Sequence, residues 1–427
     1  MLHIALYRIF WYHPSALNEP QNVLSGIRVI DCATYIAGPA AATILSDFGA
    51  EVIKIERPPI GDPFRYLSMM PGMPISEHLF CWILDGRNRK SVALNLEDDA
   101  AREALLRLVR TADVFITNYQ PPLVKKFRLG YEDLRPLNDR LIYAHITGYG
   151  DTGGDMNEPG YDQTAYWARS GLMFTMHNSD GEPCRAPTGF GDHPTATTLF
   201  GAIMLGLYRR AVAGQGSKVS TSLMANGAWC NANMIQAAQL GAKFLPRTQR
   251  KTVANPLVNH YVSRDQKRFL LCCLDTKKDW PNFCRALSRP DLIEDPRFST
   301  PAQRQENCVA LVETIDAVVA AKDMAEWDKA FRQYTLTWAP VQTNEEVAHD
   351  RQMEANAVFD EIAPGMRTVS SPLTIEGVKK VKPRMAPQVG EHTGEVLSGL
   401  GYSPQEIDAM VQRGAAAIGA PKASPKG

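Results

Sequence analysis

The sequence predicts an α/β protein built around a parallel sheet, with a second, smaller core. Two observations predict the sheet: short β-branched runs alternate with helical segments from Leu24 onward, and a strand–helix–strand unit opens the series. The third is length, since 427 residues exceed what one ordinary core organises.

Ile27-Arg-Val-Ile-Asp31 is the first strand, followed by a small-residue loop from Cys32 to Pro39. Ala40 to Asp47 has helical composition and stops at Gly49, and Glu51-Val-Ile-Lys-Ile55 is the next strand. Such a unit makes a parallel pair through a right-handed crossover. Ser91 to Leu94 reads as a strand, and Asp98 to Arg110 as a helix carrying Ala101, Leu105, Leu108 and Val109. Asp113 to Thr117 and Leu141 to His145 are strands. A glycine-rich loop, Gly148 to Gly160, leads to helices over 162–170 and 193–211, and Lys218 to Ser222 is a further strand. Together these predict a Rossmann-like sheet of five or six parallel strands, with helices on both faces. Past Ala225 the character shifts to a helix at 226–243, a loop at 244–257, a hairpin-type strand Phe269 to Leu274 and further helices to about 337. The expected division is an N-terminal extension at 1–23, a large α/β domain at 24–225 and an inserted smaller α+β domain at 226–337. The end, Ala415 to Gly427, reads as a frayed tail.

Lys plus Arg (46) balances Asp plus Glu (46), which argues against nucleic acid or an anionic membrane as partner. Any phosphate-bearing ligand needs a local basic cluster. The eight cysteines form no CxxC pair and read as reduced, mostly buried thiols of a cytoplasmic protein. The apolar start, Met1 to Pro20, lacks a basic leader and a small-x-small cleavage site, and no uninterrupted apolar run is long enough to span a membrane. No HExxH, GxSxG, P-loop or metal-ligand cluster is present, so no metal is expected.

The loop after the first strand holds one glycine, Gly38, where a dinucleotide fingerprint needs three, so Glu56 is not read as a ribose ligand. Pro39 suits a first helical position. Arg57 directly follows the second strand, at the sheet edge where ligands bind, and its guanidinium suits a phosphate. The run Arg87-Asn-Arg-Lys-Ser91 either adds to that charge or is a solvated face. Asn118-Tyr119 follows the strand ending at Thr117, and is either a base-binding pair or a turn. Asp192, in Gly189-Phe-Gly-Asp-His-Pro194, is either a helix N-cap or a reactive carboxylate. In the second case helix N–H donors keep it ionised and the glycines leave room for a substrate. His193 is expected to be structural.

Taken in order, Asp31…Tyr-Ile-Ala-Gly-Pro39, Gly49-Ala-Glu-Val-Ile-Lys-Ile-Glu-Arg-Pro58, Asn88-Arg-Lys-Ser91, Ala112-Asp-Val-Phe-Ile-Thr-Asn118, Gly148-Tyr-Gly150 and Pro159-Gly-Tyr-Asp162 resemble the class III CoA-transferases. That family includes formyl-CoA, carnitine and bile-acid CoA-transferases and α-methylacyl-CoA racemase. The resemblance implies a coenzyme A site at Tyr35, Ile36, Ala37, Arg57, Leu94, Asn118, Tyr119, Lys126 and Tyr161, with Asp192 as nucleophile. It implies an acyl-CoA and a small carboxylic acid as partners, no further cofactor, an interlocked homodimer, and residues 338–427 returning to the large domain before the tail. Lys126 stands where arginine is common, and Ile36 where glutamine is, which suits a greasier acyl group. The loop Ala254-Asn-Pro-Leu-Val-Asn-His260 lacks the glycine run of formyl-CoA transferase, which speaks against oxalate or formate. Racemases carry histidine where Tyr161 stands, and tyrosine, with a pKa near ~10, is a poor base at neutral pH. The mechanism so implied runs through an aspartyl anhydride and an aspartyl-CoA thioester, with Gly189, Gly191 or the 254–260 loop giving N–H groups to the oxyanion. The alternatives are a racemase or isomerase with another base, and a CoA-binding subunit without activity.

Overall fold

The computed structural model describes residues 22–177 and 181–419. The expected extension and most of the expected tail therefore lie outside the described residues. Strands β1 (Arg28–Cys32), β2 (Glu51–Glu56), β3 (Arg89–Leu94), β4 (Val114–Thr117), β5 (Ile142–Thr147), β6 (Ser217–Ser222) and β7 (Ala416–Ala417) form one sheet in the order β7-β3-β2-β1-β4-β5-β6. The first six are mutually parallel. Their order is the doubly wound one, and the direction of winding reverses between β1 and β4.

The seventh strand corrects the sequence reading. Ala416 and Ala417 pair antiparallel with Leu94 and Ala93, and Ala415 and Ala416 are buried rather than frayed. Small side chains let this segment lie flat along β3 and close an open sheet edge.

Strands β1 to β5 are buried on both faces, whereas β6 at the edge alternates between covered and exposed residues. On one face Val29, Val114, Ile116, Ile142 and Ala144 pack against helices α1 (Ala37–Asp47) and, later in the chain, Asp192–Ala213. All eleven residues of α1 are buried, and its alanines and Gly38 allow the close approach. On the other face Ile30, Ile53, Val92, Phe115 and Tyr143 meet Leu105 and Leu108, with Leu397 and Met410 from the C-terminal helices. A short helix α2 (Phe80–Gly86) precedes β3, and α3 (Asp99–Val109) follows it. The Asp98 carboxylate caps α3 by accepting from Ala100 and Ala101 N–H at 2.8 and 3.2 Å. Helix α4 (Pro121–Phe127) follows β4, and the long helix Asp192–Ala213 is α5. The latter buries Thr195, Ala196, Leu199, Ile203 and Gly206, a stripe at helical spacing.

Residues Gln236–Asn356, with Met176–Cys184, form a second compact unit. Its antiparallel strands are Val258–Val262, Arg268–Cys272 and Trp338–Pro340, over a core of Phe269, Phe283, Leu311, Trp327 and Phe331. The strand at Val258 starts inside the 254–260 segment that reads as a loop. The expected helix at 226–243 is two helices, Leu223–Cys230 and Ala232–Gln239. Four of the eight cysteines are buried, all are free, and Cys184 and Cys230 are exposed.

Charges buried beneath the carboxyl ends of β1–β3 fix the layers. Asp31 accepts from Arg89 Nη1 at 2.7 Å and lies 3.6 Å from Lys54 Nζ; all three side chains are fully buried. Lys54 is 2.9 Å from Asp62 and donates to Ala33 O. Glu56 receives Arg65 at 2.6 and 2.7 Å and Ser91 Oγ at 2.6 Å, so it faces no ribose. Arg87 forks onto Asp47 at 2.7 and 3.0 Å. The run Arg87 to Ser91 is thus neither a ligand cluster nor a solvated face: Arg87 and Arg89 are spent on buried carboxylates, and Lys90 is 2.9 Å from both Glu51 and Glu395. Asp31→Ala leaves buried Arg89 without its carboxylate and Lys54 with Asp62 alone, and should cost ~3–5 kcal/mol in equilibrium urea unfolding. A loss below ~1 kcal/mol would show that the network does not hold the fold.

Candidate active site

The reversal between β1 and β4 opens a crevice at the carboxyl edge, and a cavity of about 300 Å³ lies there. Of the residues singled out from sequence, Tyr35, Ile36, Ala37, Asn118, Tyr119, Tyr161 and Asp192 line it. Leu94, Arg57 and Lys126 do not. The Leu94 side chain is 1% exposed in the core beside β7, because β3 turns it inward. Lys126 is exposed and paired with Glu97 at 2.5 Å. Arg57 is exposed at the end of β2, with no ion-pair partner among the described residues.

The rim is set by two crossing loops. Thr34 donates its N–H to Asn118 Oδ1 at 2.9 Å and accepts from Asn118 Nδ2 at 2.8 Å. The Asn118 amide therefore joins the loops after β1 and β4 instead of reaching toward a base. Tyr35 sits at φ 61 and donates its N–H to Asp62 Oδ1 at 3.0 Å, so the buried charge network reaches the cavity wall. Its ring packs edge-on to Tyr161 at 5.9 Å. Helix α1 starts at Ala37, two residues ahead of the start that Pro39 suggests. Behind Tyr119, whose carbonyl lies 3.1 Å from His145 Nε2, stands a chain of His145, Asp151 and Lys218, each contact at 2.7 Å. The His145 hydrogen bond, with Lys218, holds the Asp151 carboxyl well below the usual range despite its burial.

Asp192 is the first residue of α5, and Gly191 holds the cap position. Among the described residues its carboxylate accepts no hydrogen bond, so it is not an N-cap. The donors expected to keep it ionised are engaged elsewhere: Gly189 N–H and Gly191 N–H both donate to Asp162, at 2.8 and 3.0 Å. Those two groups are therefore not free for an oxyanion. Asp162 opens a π-helical turn (Asp162–Ala168), which turns its carboxylate onto the glycine loop. Burial pushes the Asp192 carboxyl up to about 7, with Asp162 and Asp85 adding to the rise and His193 opposing it. At 9% exposure the group is covered yet opens on the cavity.

His193 Nε2 lies 3.1 Å from Asp85 Oδ2, and its Nδ1 lies 3.2 Å from Gly189 O. Burial lowers its affinity for a proton, but the Asp85 carboxylate, Gly189 O and Asp192 together bring its pKa up to about 9. Sequence reasoning missed Asp85 altogether. It lies 108 positions before His193, at the end of a short helix, and no spacing rule connects the two.

A doubly wound sheet whose switch-point cavity meets a carboxyl group that accepts no hydrogen bond among the described residues is an α/β ligand-binding scaffold. The model of CoA-transferase family III matches residues 24–393, and the chain belongs to that family. It is 33% identical over 396 residues to cinnamoyl-CoA:phenyllactate CoA-transferase of Clostridium sporogenes, covering 91% of this chain and 96% of that one. It is 30% identical over 394 residues to (R)-2-hydroxy-4-methylpentanoate CoA-transferase of Clostridioides difficile, covering 90% and 97%. The crystal structure of a CaiB/BaiF family protein from Brucella suis matches with TM-score 0.79 and 25% identity, covering 89% of this chain and 100% of that one.

Two outcomes test this geometry. A Cβ at Gly191 would run into the Tyr166 ring and Asp162, so Gly191→Ala should displace Asp192 and cut turnover by ~10²-fold or more. Normal turnover would mean that the loop tolerates the shift. The folded-state pKa of Asp192 is raised, so its protonation stabilises the fold at low pH, and this is lost as pH rises from about 4 through about 7. Asp192→Asn should therefore melt higher than wild type at about pH 8, by ~1–3 kcal/mol, with the gain vanishing toward about pH 4. Parallel unfolding curves across that range would contradict it.

Proposed function

We propose that this chain moves coenzyme A from an acyl-CoA donor to a carboxylic acid through covalent adducts on Asp192. The supporting observation is the Asp192 carboxyl group, free of hydrogen bonds among the described residues and opening on the switch-point cavity. An oxygen of Asp192 attacks the thioester carbonyl, the C–S bond breaks, and coenzyme A leaves as thiolate, giving an aspartyl anhydride. The thiolate attacks the aspartyl carbonyl and releases the donor acid. The acceptor carboxylate then attacks the aspartyl-CoA thioester, and the returning thiolate takes its acyl group. Coenzyme A enters as a substrate, and the scheme draws on no further cofactor. A carboxylate lacking hydrogen bonds is a better nucleophile than a capped one, and a partly desolvated site raises its reactivity.

The cavity lining includes Ile36, Leu67, Met70 and Leu223, with carboxyl groups at Glu158 and Asp162 and no Lys, Arg or His. This favours a monocarboxylic acid with an apolar or aromatic body over a dicarboxylate, in keeping with the phenyllactate and 4-methylpentanoate names of the two relatives. We assign Arg57, which has no ion-pair partner among the described residues, to a phosphate of coenzyme A. A homodimer, interlocked as the resemblance implies, would cover the helix Ala232–Gln239, which buries no residue, and the exposed Trp229 and Leu240.

Incubation with cinnamoyl-CoA and phenyllactate, followed by peptide mass analysis, should find an adduct on the peptide holding Asp192. Asp192→Ala should lower transfer by ~10³-fold or more; near-normal transfer in that variant sinks the mechanism. Arg57→Ala should raise KM for the acyl-CoA about tenfold with kcat little changed, and an unchanged KM would remove Arg57 from the phosphate site.

A further inference from the structure

Sequence gives His193 a structural part, but its surroundings give it a chemical one. Its Nε2 faces both oxygens of Asp85, at 3.1 and 3.3 Å, and its Nδ1 faces Gly189 O at 3.2 Å. Carboxylate and carbonyl oxygens only accept, so both contacts are hydrogen bonds only when both ring nitrogens carry a proton. A neutral ring forfeits one of them. Asp85 is itself fixed: it is 4% exposed, and its carbonyl accepts from Thr43 Oγ1 at 2.6 Å and from Arg89. The ring is half exposed, so solvent protons reach it without any opening of the fold.

Resting on the reading of Asp192 as nucleophile, we infer that His193 is its positioning residue in the electrostatic sense: an imidazolium clamped between Asp85 and Gly189 O whose charge favours the anion of Asp192, its neighbour in the chain. Three carboxyl groups bear on this point, Asp192 on the same helix, Asp85 on α2 and Asp162 through the glycine loop. The other titratable group nearby on α2, the Cys81 thiol, is pushed up to about 11 by burial and Asp85 and stays neutral. Arg89 donates to the Asp85 carbonyl and is already bound to Asp31, and its charge also acts on the Asp85 carboxylate. With a neutral ring, the cation that opposes the rise of the Asp192 pKa would be gone, and Asp192 would hold its proton more firmly. Attack on the thioester moves negative charge from Asp192 oxygen to sulfur and transfers no proton, so the imidazolium acts through its charge alone. The coupling runs both ways, the histidine favouring the Asp192 anion and Asp192 favouring the cation.

The test is the rate of adduct formation with cinnamoyl-CoA in a single turnover, followed by mass from about pH 5 to about pH 9. Wild type should rise along an acid limb centred near neutrality. His193→Asn should move that midpoint up by about one pH unit, lose ~10-fold in rate below the midpoint and recover to within ~2-fold at high pH. A uniform loss at every pH, with the midpoint unmoved, is what a purely structural histidine gives, and overturns the inference. Should His193→Asn not fold, ¹⁵N spectra of the histidine rings decide instead, with His193 assigned as the ring whose signals move in Asp85→Asn. Two protonated nitrogens at neutral pH uphold the inference, and a neutral tautomer overturns it. Absence of any adduct in wild type counts against Asp192 as nucleophile, whereas an adduct with an unmoved midpoint counts against His193 alone.

Discussion

The Asp31 carboxylate, fully buried at the end of β1, is the charge on which the site is built. It is shared by Lys54 of β2 and Arg89 at the start of β3, so one anion ties three adjacent strands. Each cation carries the order further. Lys54 holds Ala33 O and Asp62, and Asp62 receives Tyr35 N–H. Arg89 holds Pro39 O, Thr43 and the carbonyl of Asp85. Removing charges from water at this depth is costly, and the cost is offset only if every partner is in place. The loop after β1, the start of α1 and the end of α2 are therefore specified together.

Asp85 links this network to the chemistry. Its main chain belongs to the Arg89 cluster, and its side chain holds His193 beside Asp192. On the far side Asp162 takes both glycine N–H groups that precede α5. The helix start thus loses the donors that ordinarily quiet a carboxylate, and Asp192 is left covered, acid-flanked and raised in pKa. Stability is given up at this point and supplied by the network beneath, a common division between scaffold and site.

Much of the frame was legible. The six parallel strands fall within two residues of their expected positions; burial on both faces leaves β1 to β5 as runs rich in β-branched residues, and β6 at the edge shows an alternating pattern instead. Asp192 and the Tyr35–Ala37, Asn118–Tyr119 and Tyr161 positions were legible as motifs, and they converge on one cavity. What failed was the assignment of partners. The Arg87–Ser91 run reads as either a ligand-facing basic cluster or a solvated face, but its arginines are buried against Asp47 and Asp31. Gly189 and Gly191 look like free donors, yet Asp162 takes them. Ala415–Ala417 looks too small and featureless for structure, and closes the sheet edge.

The sequence by itself determined the alternation of strand and helix, the parallel pairing that the short crossovers impose, and the placement of an aspartate at a glycine-flanked helix start. These follow from local periodicity and backbone preference, which extend over a few residues. Only the tertiary structure decided which charges are spent on the fold and which remain for chemistry. Ion pairs act through space: Arg89 meets Asp31 across 58 positions and His193 meets Asp85 across 108. Nothing in the local pattern of either residue records its distant partner, so the protonation of Asp192 is settled only when the chain has folded.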